Sequence, residues 1–418
     1  MHAVVWAAIA TAWVTNASAT RGLDLSAARA SITATDAKRH VHALADDTFE
    51  GREAGSRGGR AAGGYIAESL SRHGTQPAGG EGYFQPFGTM RNILAILPGS
   101  DPSLAREIVV ASAHYDHVGY GTPTNSFGPT GLIHNGADDN ASGVAGLLEI
   151  VEACGHLPVR PRRSILFAFW DGEEKGLLGS SHFLRSRPRP VEGRPLVINV
   201  NLDMIGRLRN RRVELFGCRT AGGMRARLAR ANLATGLELA FDWKVAEDSD
   251  HYAFIMAGIP AIMFHTGLHE QYHRPSDDAH LVDHEGMEPV VRLVFDTIAA
   301  LADDPAPLPA FRPAGRTETD SMRRGLEMPA AAGARGRWGI GMRSDPCEPQ
   351  APIVVRVAVG TPAQRAGIAV GDRIMAIDAV PIADQDDLAG RLGAIVAPGQ
   401  VSLDVERGGR LARVELKE

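Results

Sequence analysis

Cysteine is scarce: Cys154, Cys218 and Cys347 are the only three in 418 residues. An odd, scattered trio builds neither a disulfide framework nor a cysteine metal site. An excess of charge of one sign is also missing. The formal net charge of -5 and a pI near 6.3 leave no basic footprint for nucleic acid or for an acidic membrane surface. The arginines at Arg207, Arg209, Arg211 and Arg212 are local, and read as a solvated hairpin. Long apolar runs are absent too. The longest, Ala3 to Val14, falls short of the ~20 residues that a membrane helix needs, so no transmembrane anchor is expected.

That run leads into Ala17-Ser18-Ala19, a small-x-small pattern like a signal-peptidase site, although only His2 precedes it and no Lys or Arg. The expectation is a signal peptide over 1–19, a mature chain starting near Thr20, and an exported protein, periplasmic or secreted. The composition of the whole chain, 44% hydrophobic and 22% charged, is that of an ordinary globular protein long enough for two or three domains. Helical spacing at Asp36 to Leu44 and Gly58 to His73 is followed by branched, strand-like runs at Asn92 to Leu97 and Glu107 to Ser112. Strands at Ile165 to Phe169, Leu196 to Leu202, Val213 to Phe216 and Ile259 to Phe264 then alternate with helices at Ser142 to Cys154, Leu177 to Arg185, Gly222 to Leu233 and Glu285 to Ala302. The pattern predicts an α/β domain over 20–304 with a mixed, largely parallel sheet flanked by helices. In such folds, sites gather beyond the carboxyl ends of strands.

Polar clusters fall at those ends. Gly136-Ala-Asp-Asp-Asn-Ala-Ser-Gly143 sets two carboxylates among small residues, and a carboxylate with two oxygens bridges two dications about 3.5–4 Å apart. Asp138 or Asp139 would suffice; alone, the stretch reads first as an acidic helix start. After a strand comes His114-Tyr115-Asp116-His117, with His114 as a ligand and Asp116 fixing its other ring nitrogen; His117 has no assigned role. In Asp171-Gly172-Glu173-Glu174, adjacent carboxylates point different ways, so Glu174 binds metal while Glu173 handles a proton. Asp203 ends an apolar strand and needs a partner, either a metal or Arg207. Pro275 keeps Arg274 out of helix and puts His273 on an irregular segment, with His265, His269, His280 and His284 as rival ligands.

In order, His114-x-Asp116, Gly136-Ala-Asp-Asp139, Glu173-Glu174, Asn201-Leu-Asp203-Met and His273-x-Pro-Ser-Asp277 resemble the zinc exopeptidases that include the bacterial leucyl aminopeptidases. The resemblance spans roughly Asp36 to Asp304, including Glu50-Gly-Arg52 near its start. It implies two zinc ions bridged by Asp139, one completed by His114 and Asp203 and the other by Glu174 and His273, with Glu173 as general base. The implied activity is release of N-terminal amino acids from peptide substrates. Ser249-Asp250-His251 and Gly258-Ile-Pro-Ala261 resemble that family's segment beside the substrate, which makes Asp250, His251 and Tyr252 substrate-binding candidates. Family aminopeptidases often carry a Tyr shortly before this segment to stabilise the oxyanion; Val245 to Asp248 has none, leaving Tyr252, Tyr272 or a metal for the task. A glutaminyl-cyclase-like transferase of the same fold, which holds one zinc, and a carboxypeptidase or dipeptidase are the alternatives.

Residues 305–337, rich in Pro, Ala, Gly and Arg, read as a linker or strap. Beyond them Trp338-Gly-Ile-Gly-Met342, Gly360-Thr-Pro-Ala363, Ala366-Gly-Ile368 and Gly371-Asp-Arg-Ile374 resemble a small β-rich bacterial PDZ domain over 338–418. That resemblance implies capture of protein or peptide C-termini at a sheet edge, with the terminal carboxylate held by amides of the Gly339, Ile340, Gly341, Met342 loop.

Overall fold

The computed structural model describes residues 23–330 and 336–418; the expected signal peptide lies outside the described residues. The first domain is built on nine strands: β1 (Gln76–Pro77), β2 (Phe84–Phe87), β3 (Met90–Leu97), β4 (Ile108–His114), β5 (Ser164–Trp170), β6 (Leu196–Leu202), β7 (Arg212–Phe216), β8 (Glu238–Phe241) and β9 (Ala261–His265). They run in the order β1-β3-β5-β4-β6-β9-β7-β8, with β2 paired to β3. The middle four, β5-β4-β6-β9, are parallel, and antiparallel pairs flank them. Every residue of β4 and β5 is buried, as expected of strands covered on both faces. Alternate side chains feed two cores. Val109, Ala111, Ala113, Ile165, Phe167 and Phe169 face the larger, under the helices Ala34–Leu44, Gly143–Gly155 and His284–Asp303. Ile108, Val110, Leu166, Ala168 and Trp170 face the smaller, which Phe183 and Phe254 of the helices Leu178–Arg185 and His251–Met256 close from the other side.

The second domain has strands β10 (Ile340–Arg343), β11 (Ile353–Val357), β12 (Arg373–Ile377), β13 (Val380–Pro381), β14 (Gln400–Arg407) and β15 (Arg410–Lys417). Its sheet runs β10-β11-β12-β14-β15, with β13 on β12, so β10 is an edge. Trp338, Val354, Ile374, Leu388, Leu392 and Leu403 form its core. Within the linker's described residues lies the helix Asp320–Glu327, and Glu318, only 8% exposed, binds Arg219 of the first domain. Nor are the arginines 207–212 merely solvated. Arg207 reaches Asp277 at 3.3 Å, and Arg209 donates to the carbonyls of Gly267 and Leu268.

Candidate metal centre

The carboxyl ends of the parallel strands bring the polar clusters together. His114 closes β4, Glu173 and Glu174 follow β5, Asp203 follows β6, and the Gly136–Gly143 turn and the His273 segment close over them. His114 Nδ1 donates to the Asp116 carbonyl at 3.2 Å, leaving Nε2 at 3.4 Å from both Asp139 Oδ1 and Asp203 Oδ1. His273 Nδ1 donates to the Asn125 carbonyl at 3.0 Å, and its Nε2 lies 3.1 Å from Asp139 Oδ2 and from Glu174 Oε2. Backbone carbonyls thus fix both imidazoles with an Nε2 lone pair turned inward, as metal-ligating histidines require.

The donor atoms fall into two groups that share Asp139: His114, Asp139 and Asp203, and His117, Asp139, Glu174 and His273. A tetrahedron of donors about 2.0 Å from zinc has edges of about 3.3 Å, and the separations above fit it. Asp203 Oδ1 is buried with no hydrogen-bond partner, and Arg207 is committed to Asp277, so the metal alternative is the one the structure supports for Asp203. Electrostatics agree. Burial opposes protonation of His273, yet the Asp139 and Glu174 carboxylates pull its pKa up to about 11. His114 is likewise raised well above its ordinary value, by Asp203 and Glu173 against burial. The cluster demands positive charge, which dications meet by displacing protons.

The support around the ligands differs in part from expectation. Asp116 steadies His114 through its carbonyl, while its carboxylate, 3.9 Å from Nδ1, accepts the Glu173 and Glu174 amides at 3.0 and 3.3 Å. Asp277 Oδ2 accepts the Asp138 and Asp139 amides at 2.9 and 3.1 Å and pins the bridging turn. Arg52, 1% exposed, donates to the carbonyls of Leu44, Tyr115, Asn135 and Gly136, tying the Asp116 loop to that turn. Gly136 has φ 53, and a Cβ there would meet Asp139 O at 2.1 Å; only glycine fits.

A cavity of ≈ 240 Å³ opens over the centre. His114, Asp139, Glu173, Asp203 and His273 form its floor; Glu214, Phe216, Asp248, Met263, His265 and Tyr272 are among its walls. Asp250 and His251 are fully buried and outside this lining, as is the half-buried Tyr252; their segment reaches the cavity through Asp248. His265 lines the wall, and His269 sits behind with its Nε2 3.1 Å from Asp138 Oδ2. Among the described residues His280 and His284 belong to neither donor group. His117, unassigned from sequence, belongs to one of them.

Residues 92–298 match Peptidase family M28, and residues 336–417 match the PDZ domain. The chain is an M28-family protein with a C-terminal PDZ domain. It is 30% identical to Aminopeptidase YwaD of Bacillus subtilis (strain 168) over 197 residues, which is 45% of this chain and 40% of that one. Leupeptin-inactivating enzyme 1 of Streptomyces exfoliatus is 31% identical over 115 residues, 28% of this chain and 22% of that one. The chain therefore spans well under two thirds of these curated relatives. In fold, the LapA aminopeptidase of Legionella pneumophila superposes with a TM-score of 0.57 at 19% identity, covering 67% of this chain and 75% of that one. The glutaminyl cyclase of Porphyromonas gingivalis superposes with a TM-score of 0.52 at 23% identity, covering 64% and 97%. The two donor groups of the M28 domain, free of thiolate, suit a binuclear zinc centre.

Proposed function

We propose that this M28 protein is a two-zinc aminopeptidase, and one observation carries the choice of terminus. No Lys or Arg lines the cavity among the described residues, whereas Glu214 and Asp248, neither of them in a donor group, do. A buried C-terminal carboxylate would find no cationic side chain here; a terminal ammonium finds these two carboxylates. Dications in the two groups would supply Lewis-acid polarisation of the scissile carbonyl and acidify water. Glu173 supplies the proton handling. Burial, with Glu174, Asp250 and Asp203 nearby, holds its carboxyl well above the ordinary range against the pull of His114. Such a group accepts a proton from attacking water and returns it to the leaving amine. Tyr272, on the cavity wall with its ring 4.0 Å from that of His273, is the side chain we assign as hydroxyl donor to the developing oxyanion. Phe216 and Met263 give the wall its apolar part.

The test is a peptide with a free N-terminus, offered with its C-terminus free or amidated, to the zinc-loaded protein. Equal release of the N-terminal residue from both supports the reading. Loss of cleavage on amidation would make it a carboxypeptidase, and ammonia with a cyclised N-terminal Gln would make it a cyclase.

In the PDZ domain, a groove of ≈ 550 Å³ runs between β10 and the helix Gln385–Ala394, lined by Trp338, Ile340, Met342, Ala389 and Leu392. Gly339, Ile340, Gly341 and Met342 stand at its edge, with Gly339 at φ 78. We propose that it captures peptide C-termini by strand addition to β10. A labelled apolar peptide should bind the full chain and lose affinity on C-terminal amidation; equal affinity would contradict carboxylate capture. Export is part of the same proposal, resting on the apolar run and Ala17-Ser18-Ala19. Recovery of the protein in the cytoplasmic fraction with residues 1–19 intact would remove it.

A further inference from the structure

Asp139 belongs to both donor groups, but the groups are unequal: two further residues on one side, three on the other. The extra residue is His117. We infer that His117 is a direct ligand of the ion held by Glu174 and His273, closing that ion's shell with four protein donors, while the ion held by His114 and Asp203 keeps open positions for substrate.

Geometry places the ring. His117 is 1% exposed, and its Nδ1 lies 2.8 Å from Glu174 Oε1 and 3.8 Å from Asp139 Oδ2. With the two 3.1 Å separations of His273, these distances straddle the about 3.3 Å edge of a zinc tetrahedron. The imidazole has nowhere else to go. It stands edge-on to His273 at 5.5 Å between centroids, and a Cβ at Gly136 would lie 2.5 Å from its ring carbons, so the backbone presses on it there. Its Nε2 has no hydrogen-bond partner, so a solvent or side-chain contact on that nitrogen does not explain its burial.

The cavity gives the inequality a direction. His114, Asp139 and Asp203 all line it, whereas His117 and Glu174 do not. The three-donor group faces substrate, and the four-donor group sits behind, its members reaching the cavity through Asp139 and His273. Four protein donors mark a retained, structural zinc; three with an accessible position mark a catalytic one. A terminal ammonium is then recognised by the cavity's carboxylates, since the rear ion offers it no vacant place. The inference rests on the two-metal reading of the site and not on peptide hydrolysis: an inactive protein that binds its ions this way would defeat the proposed activity alone.

The test loads chelated protein with a single equivalent of zinc and counts imidazole ligands by X-ray absorption, alongside competition with a chromogenic chelator for both ions. Two imidazoles on the first ion, and a second ion bound at least about tenfold more weakly, are expected. His117→Asn keeps an N–H donor towards Glu174 but offers no ring nitrogen. It should drop the count to one and weaken the first ion about 10–100-fold. One imidazole on the first ion of the unaltered protein, equal affinities for the two ions, or an unchanged first affinity in His117→Asn would each overturn it. The measurement on the unaltered protein needs no variant to fold.

Discussion

Arg52 shows how much of a metal site is held by residues that never touch a metal. Its guanidinium is buried against four backbone carbonyls, and burial lowers its pKa to about 10 despite the opposing carboxylates of Asp139 and Asp277. Removing a buried charge of this kind leaves its partners unsatisfied. Arg52→Ala should cost about 3–5 kcal/mol, read as a lower urea midpoint, and should weaken zinc retention because the Gly136 turn loses its tie. A variant as stable and as zinc-replete as the unaltered protein would show that the turn holds itself. Of the five ligands, His114 and Glu174 were readable from their places after strands, whereas the choice of Asp139 over Asp138, of a metal for Asp203 and of His273 among its rivals came from the family resemblance. The roles of His117, Arg52 and Asp277 were not legible, because their partners come from distant loops: Glu174 for His117, Gly136 for Arg52, the Asp138 and Asp139 amides for Asp277. The histidine three places after His114 was a visible signal with nothing local to interpret it.

At the scale of elements, the buried helix Gly143–Gly155 carries an acid where its packing calls for an apolar residue. Glu149 is 1% exposed, accepts the Thr33 amide at 3.2 Å, and is pushed by burial up to about 8. Its ordinary value is 4.5. Between those values the folded chain holds a proton that the unfolded chain has released, so this group makes stability fall as pH rises through that window. His40, 3.8 Å away, works the other way over an overlapping range: burial lowers its pKa to about 4, so its contribution rises with pH from there to its ordinary 6.5. Glu149→Gln keeps an acceptor for Thr33 and removes the charge. It should match the unaltered protein at pH 5 and exceed it at pH 8 by roughly 2–4 kcal/mol in urea unfolding; equal stability at both pH values would refute the assignment. The long elements were readable from periodicity to within a few residues. The short strand Glu238–Phe241 and the helices His251–Met256 and Asp320–Glu327 were not, since each is too brief to show a period and is fixed by what it packs on.

Over the whole molecule the two domains are joined by buried charge. Arg219 binds Glu318 of the strap and Asp345 of the PDZ domain, the latter through two bonds of 2.9 and 3.0 Å, with its guanidinium 3.5 Å over the Trp243 ring. Arg225 meets Glu406 at 2.7 Å, and Leu239 donates its amide to Gly408. Arg219→Ala leaves Asp345 to Arg373 and Glu318 to Arg312. It should therefore cost no more than about 3–5 kcal/mol and should separate the unfolding of the two domains in calorimetry; one unshifted transition would show that the interface does not depend on this pair. That the domains dock was not legible in the sequence, because the ion partners are some 100 to 180 residues apart.

The claim that this M28 protein removes N-terminal residues with Glu173 as its proton carrier meets its most direct test in one comparison. A peptide with a free N-terminus and its N-acetylated twin are given to the unaltered protein and to Glu173→Gln at matched zinc content. Cleavage of the free peptide alone, reduced about 10²–10⁴-fold in the variant with zinc retained, is the predicted result. Equal cleavage of both peptides, or an undiminished rate in Glu173→Gln, would contradict it.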